Sequence, residues 1–247
     1  MELLLVRAAN PSPYTLSGTN TWVVGRDPAW VVDPGPALEQ HVEAVSAAVA
    51  ARGGAGGIAL THHHADHAEG LEALRSRLVG APVGTMPELA DGDAFGPFTA
   101  LHVPGHAADH LVFVTELVAF TGDAVLGEGS VFIAPDGGSL AAYLDGLRRL
   151  RALGLRRLCP GHGPIVEDPA AKLDEYIAHR LERERRIVAG LAAGARTHDE
   201  LLAVAWDEIP DGLRLPAVWT LEAHLEKLRG EGRLPAGMAG RRGGERP

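Results

Sequence analysis

Thr61-His62-His63-His64-Ala65-Asp66-His67 follows the short apolar run Ile58-Ala59-Leu60 and holds four of the 12 histidines of the chain. The apolar run reads as a buried strand. Side chains alternate along extended backbone, so His62 and His64 leave on one side and His63 on the other. Two imidazoles on one side can share one metal ion. Asp66 and His67, just past them, can turn to a second. Zinc favours nitrogen and carboxylate donors of this kind, and a catalytic zinc keeps a position open for water. An exposed His-rich loop, the plain alternative, does not account for so dense a cluster at the end of a buried strand.

Working outward, three further pieces supply the same residue types. Pro104-Gly105-His106, Thr121-Gly122-Asp123 and Pro160-Gly161-His162-Gly163 each follow a predicted strand, at residues 98–103, 117–120 and 157–159. In each, a glycine beside the donor lets the backbone approach a shared centre closely. Taken singly, each histidine would be an ordinary loop residue. Together, His62, His64, Asp66, His67, His106, Asp123 and His162 are enough for two divalent metal ions with an open bridging position. Zinc is the expected metal.

The order His-x-His-x-Asp-His, Pro-Gly-His, Gly-Asp and Pro-Gly-His-Gly resembles the metallo-β-lactamase superfamily. That resemblance implies an α/β (α+β) fold, the αββα sandwich, with a dinuclear site at one edge. It implies that His62, His64 and His106 hold one metal and that Asp66, His67 and His162 hold the other. Asp123 then bridges them, and Asp33 braces the loops without ligating. It further implies a hydrolase whose metal-bridging hydroxide attacks a carbonyl or phosphoryl centre, with Asp66 as the catalytic residue that orients the nucleophile and carries a proton. Many class B β-lactamases have cysteine where this chain has Asp123, which argues against antibiotic hydrolysis.

A narrower set of stretches is similar to β-lactamase-like protein 2 and its bacterial relatives. These are Asn10-Pro11-Ser12-Pro13, Gly18-Thr19-Asn20-Thr21, residues 104–110, residues 122–129 and Tyr176-Ile177-Ala178-His179-Arg180. That likeness implies a small winged-helix-like C-terminal part. It implies two substrate classes: single-stranded RNA, or thioesters as cleaved by glyoxalase II.

The rest of the chain agrees with one catalytic unit and a helical appendage. Trp22-Val23-Val24 and Trp30-Val31-Val32 flank the turn Gly25-Arg26-Asp27-Pro28 as a hairpin. Helical periodicity is expected over residues 37–52, 71–78, 140–153, 172–191 and 213–229. Thr197 with Glu200 reads as a capping box that starts one more helix. The predicted division is a catalytic domain at 1–169, a winged-helix-like helical domain at 170–236 and a frayed tail at 237–247.

Among the 247 residues, hydrophobic types make up 46% and charged types 22%, which excludes a disordered or fibrous chain. A single cysteine, Cys159, rules out an internal disulfide framework and reads as a small buried hydrophobe. No apolar run reaches the length of a membrane span, and no secretory leader is visible, so a cytoplasmic location is expected. Residues 170–247 carry 13 basic and 13 acidic side chains, so the net charge of −9 resides in the first 169. Such a region attracts phosphate backbones poorly unless bound cations reverse its sign. A small acyl substrate is therefore expected over RNA, with the C-terminal helices as a candidate surface for a homodimer.

Several residues keep two readings. His110 orients a ligand or substrate, or hydrogen-bonds to backbone at a strand start. His179 and Arg180 reach the pocket mouth, or pack on a helix face. Asn20 and residues 126–129 line the pocket or form turns. Trp206 and Trp219 read as core of the helical appendage, and His63 as packed away from the metals.

Overall fold

The computed structural model describes residues 1–133, 137–210 and 212–235. The predicted tail at 237–247 and the end of the helical domain at 236 lie outside them. The first sheet is formed by β1 (Leu3–Arg7), β2 (Asn20–Val24), β3 (Ala29–Val32), β4 (Ala55–Ala59) and β5 (Val83–Gly84), in that spatial order. The expected hairpin is present, with Trp22 opposite Val32 and Val24 opposite Trp30. Between these strands lie α1 (Glu39–Ala50), the single turn α2 (Ala65–Ala68) and α3 (Leu71–Arg77). The second sheet runs in the order β10 (Arg157–Pro160), β9 (Val118–Gly122), β8 (Leu111–Thr115), β7 (Phe98–His102), β6 (Ala94–Phe95). Helix α4 (Leu140–Ala152) connects β9 to β10.

Alternation decides the layering. Trp22, Val24 and Val32 of the first sheet meet Phe98, Phe113 and Phe120 of the second in one buried cluster, and Cys159 lies among them. Residues of opposite parity, Val23 and Val31, face Val42, Val45 and Val49 of α1 and Leu74 of α3. On the far side, Val112, Ala119 and Leu158 face Tyr143, Leu144 and Leu147 of α4. Helix, sheet, sheet, helix is the resulting order, as the expected αββα sandwich requires.

The C-terminal part consists of α5 (Pro169–Ala192), α6 (His198–Ala205) and α7 (Arg214–Gly230). Asp168 caps α5 through the Ala171 amide with Pro169 in its first turn, and the Thr197–Glu200 capping box starts α6. Ile187, Leu201 and Leu221 centre a separate core. The described residues of this part include no strand, so its likeness to a winged helix rests on three helices without a wing. Leu173 and Tyr176 of α5 and Ala223 of α7 enter the same core as α4, so packing continues across residue 169. No helix among the described residues is long and apolar enough to cross a membrane.

Candidate metal centre

All seven donors converge where both sheets present strand ends. Ligating atoms of His62, His64 and His106 lie within 4.8 Å of one another, and so do those of Asp66, His67 and His162. His62, His67 and Asp123 form a third such group, which places Asp123 between the other two. The Asp123 Oδ2 atom is 3.6 Å from His106 Nε2, while Oδ1 is 3.4 Å from both His67 Nε2 and His162 Nε2. Oδ1 is buried without a hydrogen-bond partner among the described residues.

Partners on the far side of each ring fix which nitrogen faces inward. The His106 Nδ1–H donates to the Phe132 carbonyl at 2.8 Å. The Thr61 hydroxyl donates to Asp33 Oδ2, so it accepts from His62 Nδ1 at 3.0 Å. His67 Nδ1 donates to Asp33 Oδ2 at 2.9 Å, and His162 Nδ1 to the Gly18 carbonyl at 3.4 Å. The Nε2 atoms of His62, His67, His106 and His162 therefore all turn lone pairs toward the cluster. His64 Nδ1 lies 3.0 Å from His62 Nε2 and 2.9 Å from His106 Nε2. His67 and His162 bring Nε2 to Nε2 at 3.2 Å. Lone pairs that close repel unless a cation or a proton lies between them, and the set of donors suits divalent zinc. The residues fit a pair of metal ions.

Without metal, the electrostatics show the same demand for positive charge. Burial pulls the His67 imidazole down, yet the Asp123 and Asp33 carboxylates hold it well above its ordinary range. His162 is raised in the same way by Asp123 and Asp66, against its own burial. Burial and the neighbouring His67 and His110 rings keep His62 well below. Burial raises the Asp123 carboxyl, but the His162 and His67 imidazoles outweigh it and hold it far below the usual carboxylate range. Asp66 is lowered too, where the His162 hydrogen bond overcomes burial. Both carboxylates are ionised at neutral pH.

Local backbone makes the approach feasible. Asp33, in the left-handed region at φ 56°, accepts from the Thr61 amide at 2.8 Å and braces the start of the histidine loop. Gly122 turns through φ 46°. A methyl group on Gly161 would lie 2.5 Å from His67 Cε1 and 2.9 Å from Asp123 Oδ1. The side chain of Asn20 donates to the carbonyls of Pro160 and Gly163, splinting the loop that carries His162.

Other sequence-predicted residues resolve as follows. His63 is exposed and pairs with Asp109, as alternation requires. His110 accepts the Asp123 amide at 3.1 Å and stacks on His62 with ring centroids 4.8 Å apart, so it orients two members of the cluster. Arg180 is fully buried and reaches Ser130 and Val131 behind the pocket wall, not the mouth. His179 is half-buried, pushed down to about 4 by burial and Arg183, and is not part of the pocket wall. Trp206 joins the helical core, with Arg183 over its ring, and burial pushes the Cys159 thiol up to about 12.

A cavity of about 680 Å³ opens over the cluster, and His64, Asp66, His106, Asp123 and His162 form its floor. Its walls are largely apolar: Tyr14, Leu16, Leu126, Val131, Phe132 and Trp219. Residues 126 and 128–129 thus line the pocket, and Trp219 turns to the cavity instead of the helical core. Sequence periodicity could not reveal this, because an apolar residue facing a cavity has the same spacing as one facing a core. No lysine or arginine lines the cavity among the described residues, and Glu128 is the one charged wall residue outside the cluster.

Comparison with known proteins agrees with this geometry. Residues 87–162 match the metallo-beta-lactamase superfamily. A beta-lactamase-like protein 2 homolog of Caenorhabditis elegans is 30% identical over 90% of this chain and 82% of its own. An atrochrysone carboxyl ACP thioesterase of Aspergillus chevalieri is 31% identical over 97% and 84%. The crystal structure of a metallo-beta-lactamase family protein from Thermus thermophilus superposes with a TM-score of 0.71 at 25% identity, covering 93% of this chain and 94% of that one. With its donors gathered at one edge of an αββα sandwich and its relatives aligned along nearly the whole chain, the protein belongs to the metallo-beta-lactamase superfamily.

Proposed function

We propose that this protein is a dinuclear metal-dependent hydrolase that cleaves the thioester of a bulky, apolar acyl group. The observation that carries the reading is a cavity whose floor is the His/Asp cluster and whose walls are largely apolar, with no lysine or arginine among the described residues. Its volume suits a small organic molecule. Relatives named as ACP thioesterases support the bond type. When bound, two divalent ions supply Lewis acidity, lowering the pKa of water and polarising the scissile carbonyl. His62, His64 and His106 would hold one ion, Asp66, His67 and His162 the other, and Asp123 both.

The chain itself orients and moves protons. Asp66, ionised and facing the cavity, takes a proton from the attacking water and passes that same proton to the leaving thiolate. His110 holds the Asp123 backbone in place. Leu126, Phe132 and Trp219 exclude solvent from the acyl group.

RNA is the weaker reading. A phosphate backbone needs a run of cationic partners, and among the described residues the cavity offers no lysine or arginine beside the metal ions it would hold. On α7, Arg214 pairs with Asp199 and Lys227 with Glu184, so two of the three cations of that helix are offset by carboxylates. The test is to assay zinc-loaded protein against acyl thioesters and labelled single-stranded RNA, with Asp66→Ala as control. Thioester turnover is expected, reduced by ~10²–10⁴-fold in a folded Asp66→Ala variant. RNA cleavage abolished by that change, with no thioester turnover, would replace this reading with a ribonuclease. Salt-dependent RNA binding without cleavage would replace it with a binding module.

A further inference from the structure

Helix α5 sends one cation, Arg180, into the interior. Arg180 is 1% exposed, and no carboxylate pairs with it among the described residues. Burying an unpaired charge is unfavourable, so its retention calls for compensating contacts. They are specific. One guanidinium nitrogen, Nη2, donates to the Ser130 hydroxyl at 2.9 Å and to the Val131 carbonyl, and the group lies 5.5 Å from the Tyr143 ring centroid. The next residue, Phe132, supplies the carbonyl that accepts the His106 Nδ1–H at 2.8 Å. One peptide unit separates the acceptor of the arginine from the acceptor of the imidazole.

Neighbouring bonds show that this strip is held from the C-terminal side. The Leu126 amide donates to the Tyr176 hydroxyl at 3.1 Å, and the Ile133 amide to Thr220 Oγ1 at 3.4 Å. Arg180 grips the strip between those two points.

We infer that Arg180 is a positioning residue for His106, acting through residues 130–132 to set the place of the Phe132 carbonyl and hence the aim of His106 Nε2. The inference rests on the reading that His106 holds a metal. The planar guanidinium serves acceptors on two adjacent residues while lying against Tyr143, a geometry that the ammonium of lysine reproduces only in part. It also gives the C-terminal helices a task in the chemistry: without them, the loop that orients one metal ligand loses its hydrogen bonds to Tyr176, Arg180 and Thr220.

The experiment titrates metal-free protein with Zn²⁺ against a chromophoric chelator and records the visible spectrum after Co²⁺ loading. Wild type is expected to take two equivalents. Arg180→Met should weaken one of them by ~10–100-fold, leave the other unchanged and alter the Co²⁺ spectrum, since removing the support of a ligand has effects of that size. For the thioester, kcat should fall with little change in KM. Arg180→Lys should restore part of the loss, and Arg183→Met, one turn on and stacked on Trp206, should behave as wild type. Should Arg180→Met not fold, Ser130→Ala removes one of the two contacts, and a milder loss at the same single equivalent is expected. A folded Arg180→Met, or in its place Ser130→Ala, that binds both equivalents with wild-type affinity overturns the inference. A wild-type protein that takes up no metal overturns the proposed function itself.

Discussion

Gly161 has no room for a side chain: a methyl group there must displace the His67 ring or the Asp123 carboxylate. Gly161→Ala is therefore expected to fold but to lose one bound metal on dialysis, with turnover reduced by ~10–100-fold. Metal analysis of the dialysed protein checks this, and retention of two ions per chain would show that the loop yields instead. At this scale much was legible in the sequence. The inward aim of His62 and His64, with His63 outside, follows from the two-residue period of extended backbone, and the glycines beside His106, Asp123 and His162 announced close approach. Phe132 and Trp219 were not legible. Their value depends on what lies across a gap from them, and no local spacing encodes that.

Among the elements, α7 carries the clearest dependence on pH. His224 is fully buried, neither ring nitrogen has a hydrogen-bond partner among the described residues, and burial, reinforced by Arg180 and Arg183, pushes it down to about 2. The folded protein keeps this ring neutral, whereas the unfolded chain protonates it near pH 6.5. Below that pH the unfolded state binds one more proton, so stability falls as the solution is acidified, by up to ~1.4 kcal/mol per pH unit. His224→Leu should remove this contribution and cost little at pH 7.5, because it deletes two unsatisfied polar atoms. Urea unfolding of both proteins at pH 7.5, 6 and 5 measures it; parallel pH profiles would refute it. Element by element, the long helices and the Thr197–Glu200 cap were readable from periodicity and capping chemistry. The two-residue strands β5 and β6 and the single turn α2 were not, since segments so short are fixed by pairing and by the cluster around them.

For the whole molecule, the donor set joins two sheets. His62, His64, Asp66 and His67 follow β4 of the first, while His106, Asp123 and His162 follow strands of the second. Ligands that bind only the folded state stabilise it by mass action, by about 2.7 kcal/mol at a hundredfold excess over Kd. Chelation should therefore lower Tm by several degrees and Zn²⁺ should restore it, as differential scanning calorimetry would show. An unchanged Tm would mean that the ions are not held by this site. A practical corollary concerns fragments. If the chain is parted within residues 85–93, between β5 and β6, one piece owns four donors and the other three. Neither remnant holds the full donor set, so on the proposed reading the bound metal would become the adhesive between them, and its concentration could be read out from whether the severed halves reassemble.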